Sequence, residues 1–263
     1  MSMDPMNRET VLFERRDGVA LLTLNRPEKR NAFNDRQYDD LAGALSEARA
    51  DEAIKVAVIT GAAGAFSAGQ DLGEMGAPPE HDDGQPHGFL PFVDELSTFD
   101  LPLIAAVNGV AVGIGLTMLL HCDLVYVAHS ARLRAPFVSL GLVPEAGSSL
   151  LFQSIVGPQA AAELLYTTGW IDAERAVAIG LAAAAFPDDE LLERTLERAS
   201  QIAAQPRAAL RSTKQLLLDV RSEALTAARQ RENPAMAQLI GSPANVEAIR
   251  AFREKRPADF SGL

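Results

Sequence analysis

The chain has 263 residues, 48% of them apolar, and a formal net charge of −11. That length and apolar content describe a folded chain with a substantial core and exclude a disordered one. The acidic balance argues against nucleic acid, which needs a basic face against its phosphates, and requires that any polyanionic ligand be met by cations placed locally.

Residues 1–8 are polar and lack the apolar run of a secretory signal. Cys122 is the one cysteine, so no internal disulfide can form, and a reducing, cytoplasmic setting is expected. Residues 11–14 and Val19–Leu24 read as strands about a turn at Asp17 and Gly18. Asn34 then offers an N-cap, with Gln37 three residues on. Tyr38, Leu41, Leu45 and Ala48 follow at helical spacing, which predicts a helix over Asp35–Ala50. Strands are expected at residues 55–60, Leu103–Val107 and Leu124–Ala128, in an α/β core with mainly parallel neighbours. Residues 73–88 form a loop rich in Gly, Pro, Asp and His, of the kind that serves as a lid.

Residues 102–122 carry no charge and are long enough to span a bilayer. Pro102, Asn108, Gly109, Gly113 and Gly115 punctuate them, so they read as a buried strand, a glycine turn and a buried helix start, with no membrane span. From Gly147 onward the pattern is almost wholly helical. One helix is marked by Leu191, Leu192, Leu196 and Ile202, a second begins at Pro206, and a last one begins at Ser242 and Pro243 with Val246, Ile249 and Phe252 facing inward.

Two glycine turns carry the functional signal. In the first, the strand ending near Gly61 runs through Gly64, Ser67, Ala68 and Gly69 to Gln70 and Asp71, where Asp71 is placed to cap a helix. Gly64 and Gly69 have P-loop separation, but Gln70 stands where the lysine belongs, and no G-x-G-x-x-G occurs. In the second, a strand ends at Asn108 and a helix begins near Gly113 and Ile114. Two helix starts approached through glycines can present two backbone N–H groups to one carbonyl oxygen, the arrangement of an oxyanion hole. Either turn alone would be an ordinary tight turn.

The segments Leu24-Asn25-Arg26-Pro27-Glu28-Lys29-Arg30-Asn31-Ala32, Phe66-Ser67-Ala68-Gly69-Gln70-Asp71-Leu72 and Val107-Asn108-Gly109-Val110-Ala111-Val112-Gly113 resemble, in order and spacing, the enoyl-CoA hydratase/isomerase (crotonase) family. So do Thr168 and Gly169 with Ala176, Gly180 and Leu181, and the tail Phe252-Arg253-Glu254-Lys255-Arg256. The resemblance implies an α/β, crotonase-like fold of repeated β-β-α units, here over residues 1–200. It also implies a helical C-terminal trimerisation region at 201–263, in a homotrimer or homohexamer.

By the same resemblance an acyl-CoA is the substrate, coenzyme A is part of it, and no separate cofactor or metal is needed. The thioester oxygen is expected between the backbone amides of Gln70 and Ile114. Lys29, Arg30, Ala68 and Gln70 would hold coenzyme A, and Lys255 and Phe260 would be supplied to it from a neighbouring subunit. Family hydratases activate water with two glutamates, and the matching positions here are Thr117 and Phe137, both expected in the substrate pocket. Glu145, in Leu142-Val143-Pro144-Glu145-Ala146-Gly147, instead matches the single catalytic glutamate of Δ3,Δ2-enoyl-CoA isomerases. Its apolar surroundings would raise its pKa toward that of a general base. A hydratase working with one glutamate, and a non-catalytic acyl-CoA-binding protein, are the alternatives.

The remaining polar residues read as structural. His81 and His87 with Asp82 and Asp83 fit no zinc spacing and are expected to be solvated. His121, beside Cys122, reads as a satisfied core histidine. No G-x-S-x-G occurs, and Ser67, Ser148 and Ser149 are expected as small polar lining.

Overall fold

The computed structural model describes residues 8–73 and 86–263. Most of the lid-like loop, with His81, Asp82 and Asp83, lies outside the described residues. Strands β1 (Val11–Arg16) and β2 (Val19–Leu24) form a hairpin and lead through a 3-10 turn at Pro27–Lys29 into helix α1 (Asp35–Ala50). The predicted cap forms: the Asn34 side chain accepts a hydrogen bond from the Gln37 amide at 3.0 Å. Next come β3 (Val56–Gly61), α2 (Phe89–Thr98), β4 (Leu103–Val107), β5 (Val110–Val112) and α3 (Ile114–Thr117). They are followed by β6 (Leu124–Ala128) and β7 (Arg132–Arg134). The C-terminal part contains α4 (Ser148–Val156), α5 (Pro158–Thr167), β8 (Ile171–Asp172), α6 (Ala173–Ala178), β9 (Ala184–Phe186), α7 (Leu191–Ala203), α8 (Arg207–Leu239) and α9 (Pro243–Arg253).

The main sheet has the order β1-β2-β3-β4-β6-β9. β1 and β2 are antiparallel, and every later neighbour is parallel. All six residues of β3 are buried, as an inner strand of a parallel sheet requires. A smaller sheet, β5-β7-β8, stands beside it and carries the second glycine turn. The charge-free stretch 102–122 is therefore two strands and short helical turns, and no described helix is long and apolar enough to cross a membrane.

Three local expectations are corrected. Asp71 caps no described helix: its carboxylate accepts from Gly73 N at 3.0 Å, closing a turn. β8 and β9 interrupt the supposedly helical C-terminal region. In α9 the buried residues are Asn245, Glu247, Ala248 and Ala251, while Val246 and Phe252 are more than half exposed. Polar partners decide that face. Asn245 donates to Leu140 O at 2.8 Å, and Glu247 accepts from Arg250, Arg256 and the Asp259 amide. The helix marked by Leu191, Leu192, Leu196 and Ile202 is α7, which packs against β2, β3, β4, β6 and β9.

Candidate active site

The 3-10 turn over Pro27–Lys29 explains the first motif. Arg30 and Asn31 both adopt left-handed backbone, and the buried Asn31 side chain accepts from Arg26 N and donates to Ala62 O and Ala65 O. The turn is thereby bolted to the first glycine loop. Arg26, also buried, bonds Ala32 O at 2.6 Å and pairs with Asp71 at 3.3 Å. Burial pushes the Asp71 pKa up, but the Gly73 amide, Lys29 and Arg26 outweigh it and hold the carboxyl below its ordinary value.

The two glycine turns are laced together. Phe66 and Ser67 donate through their amides to Val110 O, and Val112 N donates to Ser67 O at 3.0 Å. Gly69 has φ +92°, and a Cβ there would lie 2.7 Å from Val112 O, so only glycine permits this approach. The next residue after each touching glycine is Gln70 or Ile114. Neither amide donates a hydrogen bond among the described residues, although backbone amides are almost always paired when buried. Both residues line one cavity of about 940 Å³. The Gln70 side chain faces its own partner, accepting from Tyr38 Oη at 2.8 Å.

Glu145 lines the same cavity, and its carboxyl group has no hydrogen-bond partner among the described residues. Burial, and secondarily the negative charge of Glu232, push its pKa up to about 8. The folded chain therefore keeps a proton that the unfolded chain releases above the ordinary glutamate value of 4.5. Stability should fall as pH rises from 4.5 to about 8, by at most about 1.4 kcal/mol per pH unit. Glu145→Gln should remove that slope, so denaturant melts at pH 6 and pH 9 should show the variant gaining on the wild type at the higher pH. An unchanged difference at the two pH values would contradict an ionising Glu145 with a raised pKa.

The structure brings Lys29, Arg30, Ala68, Gln70, Ile114, Phe137, Glu145 and Phe260 to one wall. Thr117 is not there. It is fully buried at the end of α3, and its hydroxyl has no partner among the described residues. A threonine side chain is too short to extend past Ile114 as a glutamate would. Lys255 is also absent from the wall. It is exposed with φ +55°, while Arg256 and the partly exposed Phe260 line the cavity. Phe260 thus lines the cavity of its own chain.

Ser67 and Ser148 are buried away from the cavity, with Ser67 Oγ accepting from Gly69 N, and Ser149 is not on the wall. His87 is not free in solvent but lies 2.7 Å from Asp39. His121 is only half satisfied: Nε2 donates to Ala146 O at 2.8 Å, Nδ1 has no partner among the described residues, and burial pushes its pKa down to about 4.

Sequence reasoning missed Arg134, Arg256, Trp170 and Glu232 on the wall. Arg134 is held by Thr168 O at 2.7 Å and by the Trp170 ring at 5.6 Å. Lys29, Arg30 and Arg256 are the other cations on the wall, with Arg256 paired to Glu247 and Glu254 and Lys29 3.7 Å from Asp71. No local pattern marks these residues, because each reaches the wall only through tertiary packing.

Comparison with known proteins agrees with this geometry. The profile of the enoyl-CoA hydratase/isomerase family matches residues 14–262. The chain is 37% identical to 2,3-dehydroadipyl-CoA hydratase of Escherichia coli (strain K12), over 96% of this chain and 98% of that protein. It is 33% identical to 1,2-epoxyphenylacetyl-CoA isomerase of the same organism, over 97% and 99%. Among solved structures, an enoyl-CoA hydratase/isomerase from Pseudoalteromonas atlantica T6c superposes with a TM-score of 0.91 at 38% identity, covering 95% of this chain and 99% of that one. With a family profile that spans residues 14–262 and a crotonase fold, this chain belongs to the enoyl-CoA hydratase/isomerase family.

Proposed function

We propose that this enzyme is a Δ3,Δ2-enoyl-CoA isomerase in which Glu145 moves a proton between C2 and C4 of a 3-enoyl thioester. The observation that carries the reading is the state of the carboxylates on the wall. Asp71 is paired with Arg26, and both oxygens of Glu232 accept backbone amides, whereas Glu145 alone of these three has no partner among the described residues. Hydration needs an acid and a base on one face, and Thr117 and Phe137 occupy the positions where family hydratases carry glutamates.

In the proposed reaction Glu145 takes the C2 proton and the thioester oxygen becomes an enolate on the amides of Gln70 and Ile114. The same carboxyl then returns its proton at C4, leaving the double bond between C2 and C3. The intermediate is planar, so one swinging carboxyl serves both carbons. Only a proton moves, which calls for a base and an oxyanion site but no redox or metal cofactor. Lys29, Arg30 and Ala68, which line the cavity, would hold coenzyme A. The exposed Leu216, Leu217 and Val220 of α8 favour the assembly we propose, a homotrimer or homohexamer, and its proposed setting is the cytoplasm.

Purified protein should convert 3-enoyl-CoA thioesters into conjugated 2-enoyl-CoA, followed by absorbance of the conjugated thioester over several chain lengths, and should hydrate 2-enoyl-CoA weakly. Brisk hydration without isomerisation would replace this reading with that of a hydratase. Neither activity would leave an acyl-CoA-binding protein.

A further inference from the structure

The turn that carries Glu145 is unusual in its backbone. Ala146 and Gly147 take φ of +58° and +76°, two left-handed residues in succession, the first of them not glycine. Such a turn persists only when its surroundings hold it. Ser148 N closes it locally onto Glu145 O at 2.9 Å, and His121 Nε2 donates to Ala146 O from below.

The remaining fixings come from α8, far along the chain. Leu225 packs so closely on Gly147 that a Cβ there would lie 2.1 Å from Leu225 Cδ1. Glu232, buried and on the cavity wall, accepts from Gly147 N through Oε2 at 2.6 Å and from Ser149 N through Oε1 at 2.9 Å. These amides belong to the first turn of α4, where an anion is favoured by both hydrogen bonding and the helix dipole.

We propose that Glu232 is the positioning residue of the candidate base: it fastens the Glu145 turn to α8 and sets a second, buried carboxyl on the same cavity wall. This rests on the reading of Glu145 as the base. The other titratable or charged groups around that turn are few. His121 is neutral at working pH because burial lowers its pKa to about 4. The buried Tyr38 phenol on α1 is neutral, raised well above its ordinary value by burial and then by the charges of Glu145 and Asp35. Arg229, one turn before Glu232, is paired with Asp94 at 2.6 Å. Among the described residues, Glu232 is the charge that, after burial, raises the Glu145 pKa.

The test compares Glu232→Gln and Glu232→Asp with wild type and Glu145→Gln, on whichever acyl-CoA the wild type turns over, as kcat and KM across pH 5.5–9.5, with thermal melts in parallel. Glu232→Gln keeps the size, loses the charge and can accept through only one oxygen. It should lower kcat by roughly ten- to a hundredfold, as small misplacements of catalytic groups do, with little change in KM. It should also move the acid limb of kcat/KM to lower pH, because the like charge is gone. Glu232→Asp keeps the charge and shortens the reach, so kcat should fall with the limb left in place. Wild-type kcat and limb in Glu232→Gln, with Glu145→Gln inactive, would overturn the proposal alone. A loss of melting temperature and rate in Glu232→Gln with an unmoved limb would reduce Glu232 to a helix cap and overturn it as well. Undiminished turnover by Glu145→Gln would overturn the assignment of the base, and this proposal with it.

Discussion

Glu145→Gln is expected to lower kcat by roughly a hundred- to ten-thousand-fold while leaving substrate binding nearly unchanged. Glutamine fills the same volume on the cavity wall, so the shape that receives the acyl chain survives. What disappears is the proposed base, the wall carboxyl that has no hydrogen-bond partner among the described residues. The environment makes that group a strong base once ionised: burial, then the charge of Glu232, lift its pKa to about 8. The sign of the pH dependence follows. In free wild-type enzyme the base is protonated below about pH 8, so kcat/KM should rise with pH and level off above it. Steady-state rates with 3-enoyl-CoA, and affinity from titration with an unreactive saturated acyl-CoA, separate the two effects. If Glu145→Gln hydrates crotonyl-CoA at the wild-type rate, and that rate is brisk, the base lies elsewhere and the isomerase reading fails.

How much of this was legible beforehand depended on the range of the determining interaction. The Asn34 cap and the helix over Asp35–Ala50 are decided within a few residues, and they appear as read. The glycine turns were legible because their strain is local, since Gly69 and Gly113 take conformations that side chains rarely adopt. The face of α9 was not, because Asn245 and Glu247 are drawn inward by partners that no helical period reveals. β9 was missed because its three residues become a strand only by pairing with distant β6. Glu232 is the sharpest case. It sits in a long charged helix like any solvated glutamate, and its role exists only because α8 returns to Gly147 across 85 positions.

Gln70→Pro should abolish turnover, whereas Gln70→Ala should leave it largely intact. The residues on either side of Gln70 already hold the loop in place: Phe33 N donates to Gly69 O at 2.7 Å, and Asp71 N donates to Phe33 O at 2.8 Å. The Gln70 amide itself makes no hydrogen bond among the described residues, so replacing it with proline removes a donor that the fold does not use. Loss of one oxyanion donor typically costs about a hundred- to a thousandfold in kcat, and the proline ring would also intrude where the proposed thioester oxygen would lie. Alanine keeps the donor and forfeits only the side-chain oxygen that accepts from Tyr38 Oη. The Tyr38 phenol, left buried without that partner, should cost about 1–3 kcal/mol of stability, visible as a lower melting temperature with kcat nearly unchanged. An alanine variant as inactive as the proline one, though still folded, would make the Gln70 side chain the functional group and remove the backbone amide from the mechanism.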